Sequence, residues 1–72
     1  MYWFNILDIL EEASEPLTTT QIFHKYLEKF NQANRTRIVG VLKKLVVAEE
    51  IIVEEGTLEN QRGRVYFYSI KK

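Results

Sequence analysis

NRTRIVGVLKKLVVA (Asn34–Ala48), then IIV (Ile51–Val53), then RGRVYFYSI (Arg62–Ile70) are the segments whose reading decides the fold of this chain. In the first, Ile38, Val41, Leu42 and Leu45 recur at helical spacing with Val46 at the margin, which predicts an amphipathic helix opened by an Asn34 cap. Arg35, Thr36, Arg37, Val39, Gly40, Lys43 and Lys44 are left for its outer face. The second segment is β-branched throughout and predicts a strand. Glu54 to Gly63 is polar, with Gly56 and Gly63 near its ends, and reads as a hairpin loop of about eight to ten residues. Val65–Ile70 is the return strand, with Tyr66, Tyr68 and Ile70 on one face and Val65 and Phe67 on the other. One face should lie on the helices, and the other needs a cover of its own.

Upstream, Trp3, Ile6, Leu7, Ile9, Leu10 and Ala13 share one side of a helix expected over residues 3–13, and Tyr2 and Phe4 widen that side. So broad an apolar arc fits either a deeply buried helix or one that also meets a second copy of the chain. Pro16 ends it, because the residue before a proline avoids helical geometry. Leu17 is then extended, part of a minimal strand. Thr18 and Gln21 form a T-x-x-Q capping box for a second helix, along which Ile22, Phe23, Tyr26, Leu27 and Phe30 make an apolar stripe. Asn31-Gln32-Ala33 is a short turn, so the second and third helices form a helix-turn-helix.

Seventy-two residues make one domain over 1–72, burying only about 60% of its unfolded surface, and such small domains often gain stability by dimerising. The chain is 46% hydrophobic and 12% aromatic, unlike a disordered composition, and has no cysteine to staple the core or bind a metal. It has no apolar run long enough for a membrane span, and Met1-Tyr2-Trp3-Phe4 lacks the basic region of a signal peptide. A soluble cytoplasmic protein is the expectation. With Met1 at one end and the last strand close to the other, a complete small protein is expected too.

The net charge is zero, yet the charges are segregated. Residues 35–48 carry four cations and no carboxylate, residues 49–59 five carboxylates and no cation, and residues 60–72 four cations again. Nothing points to catalysis. His24 is the lone histidine, on the polar side of its helix, no phosphate-cradling glycine loop occurs, and the paired glutamates are adjacent residues that do not face each other on a helix. No cofactor or metal is implied.

A basic helix suits the DNA major groove. Asn34, Arg35, Thr36, Arg37, Gly40, Lys43 and Lys44 are its candidate contacts, with Arg37 placed to meet guanine and the lysines to meet phosphates. Gly40 has two equal readings, close approach to DNA or close helix packing. Arg62 and Arg64 flank Gly63 at the hairpin tip, where they can reach the minor groove or its phosphates.

From Leu17 to Ile70 the sequence resembles winged helix-turn-helix regulators of the ArsR-like and MarR-like groups. The resemblance is carried by Pro16-Leu17-Thr18 ahead of Gln21-Ile22-Phe23, by Ile38…Leu42-Lys43-Lys44-Leu45, by Ile51-Ile52, and by Arg62-Gly63-Arg64-Val65-Tyr66-Phe67-Tyr68-Ser69-Ile70. It implies an α+β winged helix of three helices and a two- or three-stranded antiparallel sheet. It also implies a dimeric transcription regulator that binds double-stranded DNA, with no membrane role. Tyr2, Trp3, Phe4 and Ile9 are the candidate dimer interface. Two departures stand out. Glu50 occupies the position where these groups have Gly, so some non-Gly residue must end the third helix. The metal-sensing ligands are missing, and no small-molecule effector is evident. The rival reading is a winged-helix protein–protein adaptor, suggested by Glu49, Glu50, Glu54, Glu55 and Glu59 beside the hairpin.

Overall fold

The computed structural model describes residues 2–57 and 63–71. Three helices, α1 (Tyr2–Glu12), α2 (Thr19–Phe30) and α3 (Arg35–Val47), pack beside a sheet of β1 (Leu17–Thr18), β2 (Ile51–Gly56) and β3 (Val65–Ile70). The sheet is antiparallel in the order β1-β3-β2, so the last strand lies in the middle. Leu17 pairs with Tyr68 and Ile51 with Ile70.

Local chemistry sets the element ends. Thr18 caps α2 as expected: its Oγ1 accepts from the Gln21 N–H at 3.2 Å, and its own N–H donates to Gln21 Oε1 at 2.8 Å. Asn31 closes α2 in a left-handed conformation (φ 60°), which Asn tolerates, with its N–H bonded to the Leu27 carbonyl. Asn34 caps α3 through its Oδ1, which accepts from the Arg37 N–H at 3.1 Å.

At the far end of α3 the left-handed residue is Glu49 (φ 61°), one position before the expected glycine site. Its N–H bonds the Val46 carbonyl and the Glu50 N–H bonds the Leu45 carbonyl, both at 3.0 Å, which is the paired closure of a Schellman motif. A side chain there costs about 1 kcal/mol or more relative to glycine. Glu49→Gly is therefore expected to stabilise the domain by about 1 kcal/mol, read as a higher urea midpoint at unchanged slope. A lower midpoint would mean that Glu49 contributes more through its charge, which lies 4.0 Å from Lys71 Nζ, than its backbone costs.

The core unites Ile6, Ile9 and Leu10 of α1 with Leu17, with Ile22 and Tyr26 of α2, with Ile38, Leu42 and Leu45 of α3, and with Ile51. The α2 stripe is narrower than expected. Phe23 and Phe30 are half-buried and Leu27 is 42% exposed, while Ile22 and Tyr26 take the core side of the helix. Strand β2 is longer than expected, running through Glu54 and Glu55 to Gly56. These glutamates pair with Phe67 and Tyr66 on an edge strand, where polar side chains face water at no loss to the ladder.

In β3, Tyr68 and Ile70 pack on the core, while Val65 and Phe67 lie on the outer face. Phe67 finds its cover within the sheet itself. Thr18 lies opposite it on β1, and its ring occupies the space beside Gly56, where a Cβ would come within 2.9 Å of Phe67 Cε2. A side chain at Gly56 would push the ring away.

Candidate nucleic-acid interface

Thr36, Gly40, Lys43 and Val47 follow one another at i, i+4, i+7 and i+11, so they form the outermost stripe of α3, opposite Ile38, Leu42 and Leu45. All four are exposed, Val47 at 83%. A Cβ built on Gly40 would meet nothing within 4 Å, so close helix packing is not the reason for this glycine. Gly40→Ala is expected to raise stability by about 1 kcal/mol through helix propensity alone, measured by chemical denaturation. A loss of stability would reveal a neighbour at this surface.

The cations of α3 divide to either side of that stripe. Arg35 turns toward α2: its Nη2 donates to Thr20 Oγ1 at 3.0 Å, and its guanidinium lies 6.0 Å from the centre of the Phe23 ring. Arg37 turns toward α1, 5.9 Å from the centre of the Tyr2 ring. Arg37, Gly40, Val41 and Lys44 line a hollow of about 450 Å³ with Tyr2 and Trp3. Asn34 is exposed beside them, with its Oδ1 committed to the cap.

A second hollow, of about 370 Å³, joins the hairpin to the helices. It is bounded by Thr18, Thr19, Thr20 and Gln21 at the start of α2, by Arg35, and by Arg64, Val65 and Tyr66. Gly63 turns the chain into it with φ 94°. Arg64 is 76% exposed and its Nε lies 2.8 Å from Glu55 Oε1, an ion pair across the hairpin. The other hairpin cation singled out in the sequence, Arg62, lies outside the described residues. Thus Arg35 and Arg64 are brought together at one hollow, Arg37 and Lys44 at another, with Thr36, Gly40 and Lys43 between. Thr19, Thr20 and Tyr66 were not singled out in the sequence. The run of hydroxyls opening α2 was the available signal.

Among the residues considered for a dimer contact, Tyr2 stacks on Tyr26 with centroids 4.8 Å apart and planes 9° from parallel. The Tyr26 hydroxyl accepts from Asn5 Nδ2 at 3.0 Å. Trp3 is half-buried and Phe4 is 61% exposed. Ile9 is 3% exposed within the core of a single copy, so it offers no surface to a second one.

No protein-family model matches the chain, and no curated protein does. Solved structures do. The chain is similar to Bacillus subtilis PadR, crystallised in complex with operator DNA, with a TM-score of 0.78 and 22% identity over 96% of this chain and 39% of that one. It is also similar to TA0346 of Thermoplasma acidophilum, a candidate transcriptional regulator, with a TM-score of 0.79 and 22% identity over 97% of this chain and 68% of that one. The fold is a winged helix. In its terms α2 and α3 are the helix-turn-helix and the β2–β3 hairpin is the wing. The winged helix accounts for nearly all of this chain but for only about two fifths of the PadR chain. Among the described residues, no helix is long and apolar enough to cross a membrane.

Proposed function

We propose that this winged helix is a transcription regulator that binds double-stranded DNA sequence-specifically in the cytoplasm, as a dimer. In this reading α3 enters the major groove along Thr36, Gly40 and Lys43, and the wing rests on the adjoining backbone or minor groove. The observation that carries it is the exposed α3 stripe lying between two cation-lined hollows, one of them shared with the wing. Arg35, Arg37, Lys43, Lys44 and Arg64 suit phosphates and base edges, and Gly40 leaves room for close approach of the backbone. The operator complex of PadR, on the same fold, adds support. For the dimer, the support is the exposed Phe4 beside half-buried Tyr2 and Trp3.

Fluorescence anisotropy on mixed-sequence duplex, at two or more salt concentrations, tests the reading. Binding should weaken with salt at a log–log slope of about −0.9 for each phosphate neutralised. No binding by the folded protein at low salt would sink it. Sedimentation at high micromolar concentration should report a dimer, and a monomer would remove that part alone.

One observation favours a second reading, a protein-binding adaptor. The exposed hairpin carries Glu54 and Glu55, and Glu55 already holds one wing cation. A hydrophobic contact with another protein would barely respond to salt, whereas phosphate binding weakens steeply.

A further inference from the structure

We infer that Glu55 sets the affinity of the wing for DNA by occupying Arg64 as an internal stand-in for phosphate. The inference rests on the DNA-binding reading above and concerns how that site is tuned.

The hairpin register brings the two groups together. Glu55 pairs with Tyr66, and alternation along β2 and β3 gives both side chains to one face of the sheet. Arg64, two residues before Tyr66, belongs to the same side. Tyr66 and Arg64 line the hollow between the wing and the start of α2, where Arg35 also lies. The Glu55 carboxylate is 2.8 Å from Arg64 Nε, an ion pair that sets a negative charge against the guanidinium. A carboxylate and a phosphate compete for the same cation, and a guanidinium held against one is less available to the other.

Glu55 therefore acts twice. It neutralises Arg64 by close pairing, and it adds a negative charge where DNA phosphates would arrive. Both partners keep much of their surface in water, at 76% and 46% exposure, and exposed ion pairs are weak enough to exchange. The pair tunes the wing without locking it.

Glu54 supplies an internal comparison. It is the same residue type one position away, exposed, but it pairs with Phe67 and projects from the opposite face of the sheet. Removing either charge changes the net charge equally, and only Glu55 touches Arg64.

The test measures affinity for one mixed-sequence duplex at low salt by anisotropy. It compares wild type, Glu55→Gln, Glu54→Gln, and Arg64→Ala in both the wild-type and the Glu55→Gln backgrounds. Glu55→Gln is expected to bind roughly three- to tenfold tighter, and its salt slope should steepen by about 0.9, one further phosphate contact. Glu54→Gln should change affinity less than about twofold. Arg64→Ala should abolish the gain. Equal gains from the two glutamate variants, or a gain that survives Arg64→Ala, would overturn the inference and leave only net charge. Wild type that binds, with no gain in Glu55→Gln, overturns the inference and leaves the DNA reading standing. If every form is folded and none binds, the DNA reading falls and takes the inference with it.

Discussion

An Arg35→Ala, Lys43→Ala, Arg64→Ala variant is expected to lose DNA affinity by roughly a hundredfold at low salt, with its salt slope flattened by about two phosphate contacts, roughly 1.8 units, because Glu55 already occupies Arg64 in the wild type. The three side chains sample the proposed interface at its three parts: the α2 side of α3, its outer stripe, and the wing. Arg35 is already held in place before any DNA arrives. Its bond to Thr20 and its position near Phe23 reduce the side-chain freedom lost on binding, so its single replacement should cost more than that of Arg37. All three residues are exposed, and stability should move by no more than about 0.5 kcal/mol apiece. Retention of wild-type affinity by the folded triple variant would place the DNA-binding face elsewhere on the molecule.

The second large effect is on folding. Leu42 is 1% exposed at the centre of α3, in a core that also draws on α1, α2 and two strands. Truncation to alanine in such a site costs about 2–5 kcal/mol, the lost transfer energy plus an unfilled cavity. A domain of this size has only about 4–11 kcal/mol in total, so Leu42→Ala should remove a large part of it and lower the melting temperature by more than about 10 °C. Val47→Ala, on the same helix at 83% exposure, should change stability by less than about 0.5 kcal/mol. Similar losses at both positions would contradict the orientation of α3.

Much of this architecture was legible because it is written in local chemistry. The Thr18–Gln21 capping box, the Asn34 cap and the limits of β3 each depend on residues close together in the chain, and each lies where the sequence predicts. The end of α3 was legible only in part. The missing glycine announced a left-handed residue, but which residue takes that conformation depends on which carbonyls close the helix, and Glu49 rather than Glu50 does so. Strand β2 outran its expected end because Glu54 and Glu55 look like loop residues until a partner strand supplies their hydrogen bonds.

The candidate site divides along the same line. Helical periodicity identified the cations outside α3, but it carries no information about the neighbours on either flank. That Arg35 turns to α2 and the wing while Arg37 turns to Tyr2 follows from how the helices cross, a tertiary fact. Ile9 lies in the core rather than at the surface for the same reason. The apolar arc of α1 is broad, and its Ile9 side is the one the core consumes.

The central place of β3 has a consequence for how the molecule comes into being. Tyr68 must meet Leu17, and Ile70 must meet Ile51, before either outer strand has a partner. The helices can form from nearby residues, but the backbone edges at Leu17 and Ile51 find their ladder partners only in β3, a segment distant in the chain. In the native molecule β3 is a clasp: one strand ties a segment from each half of the chain into a single sheet.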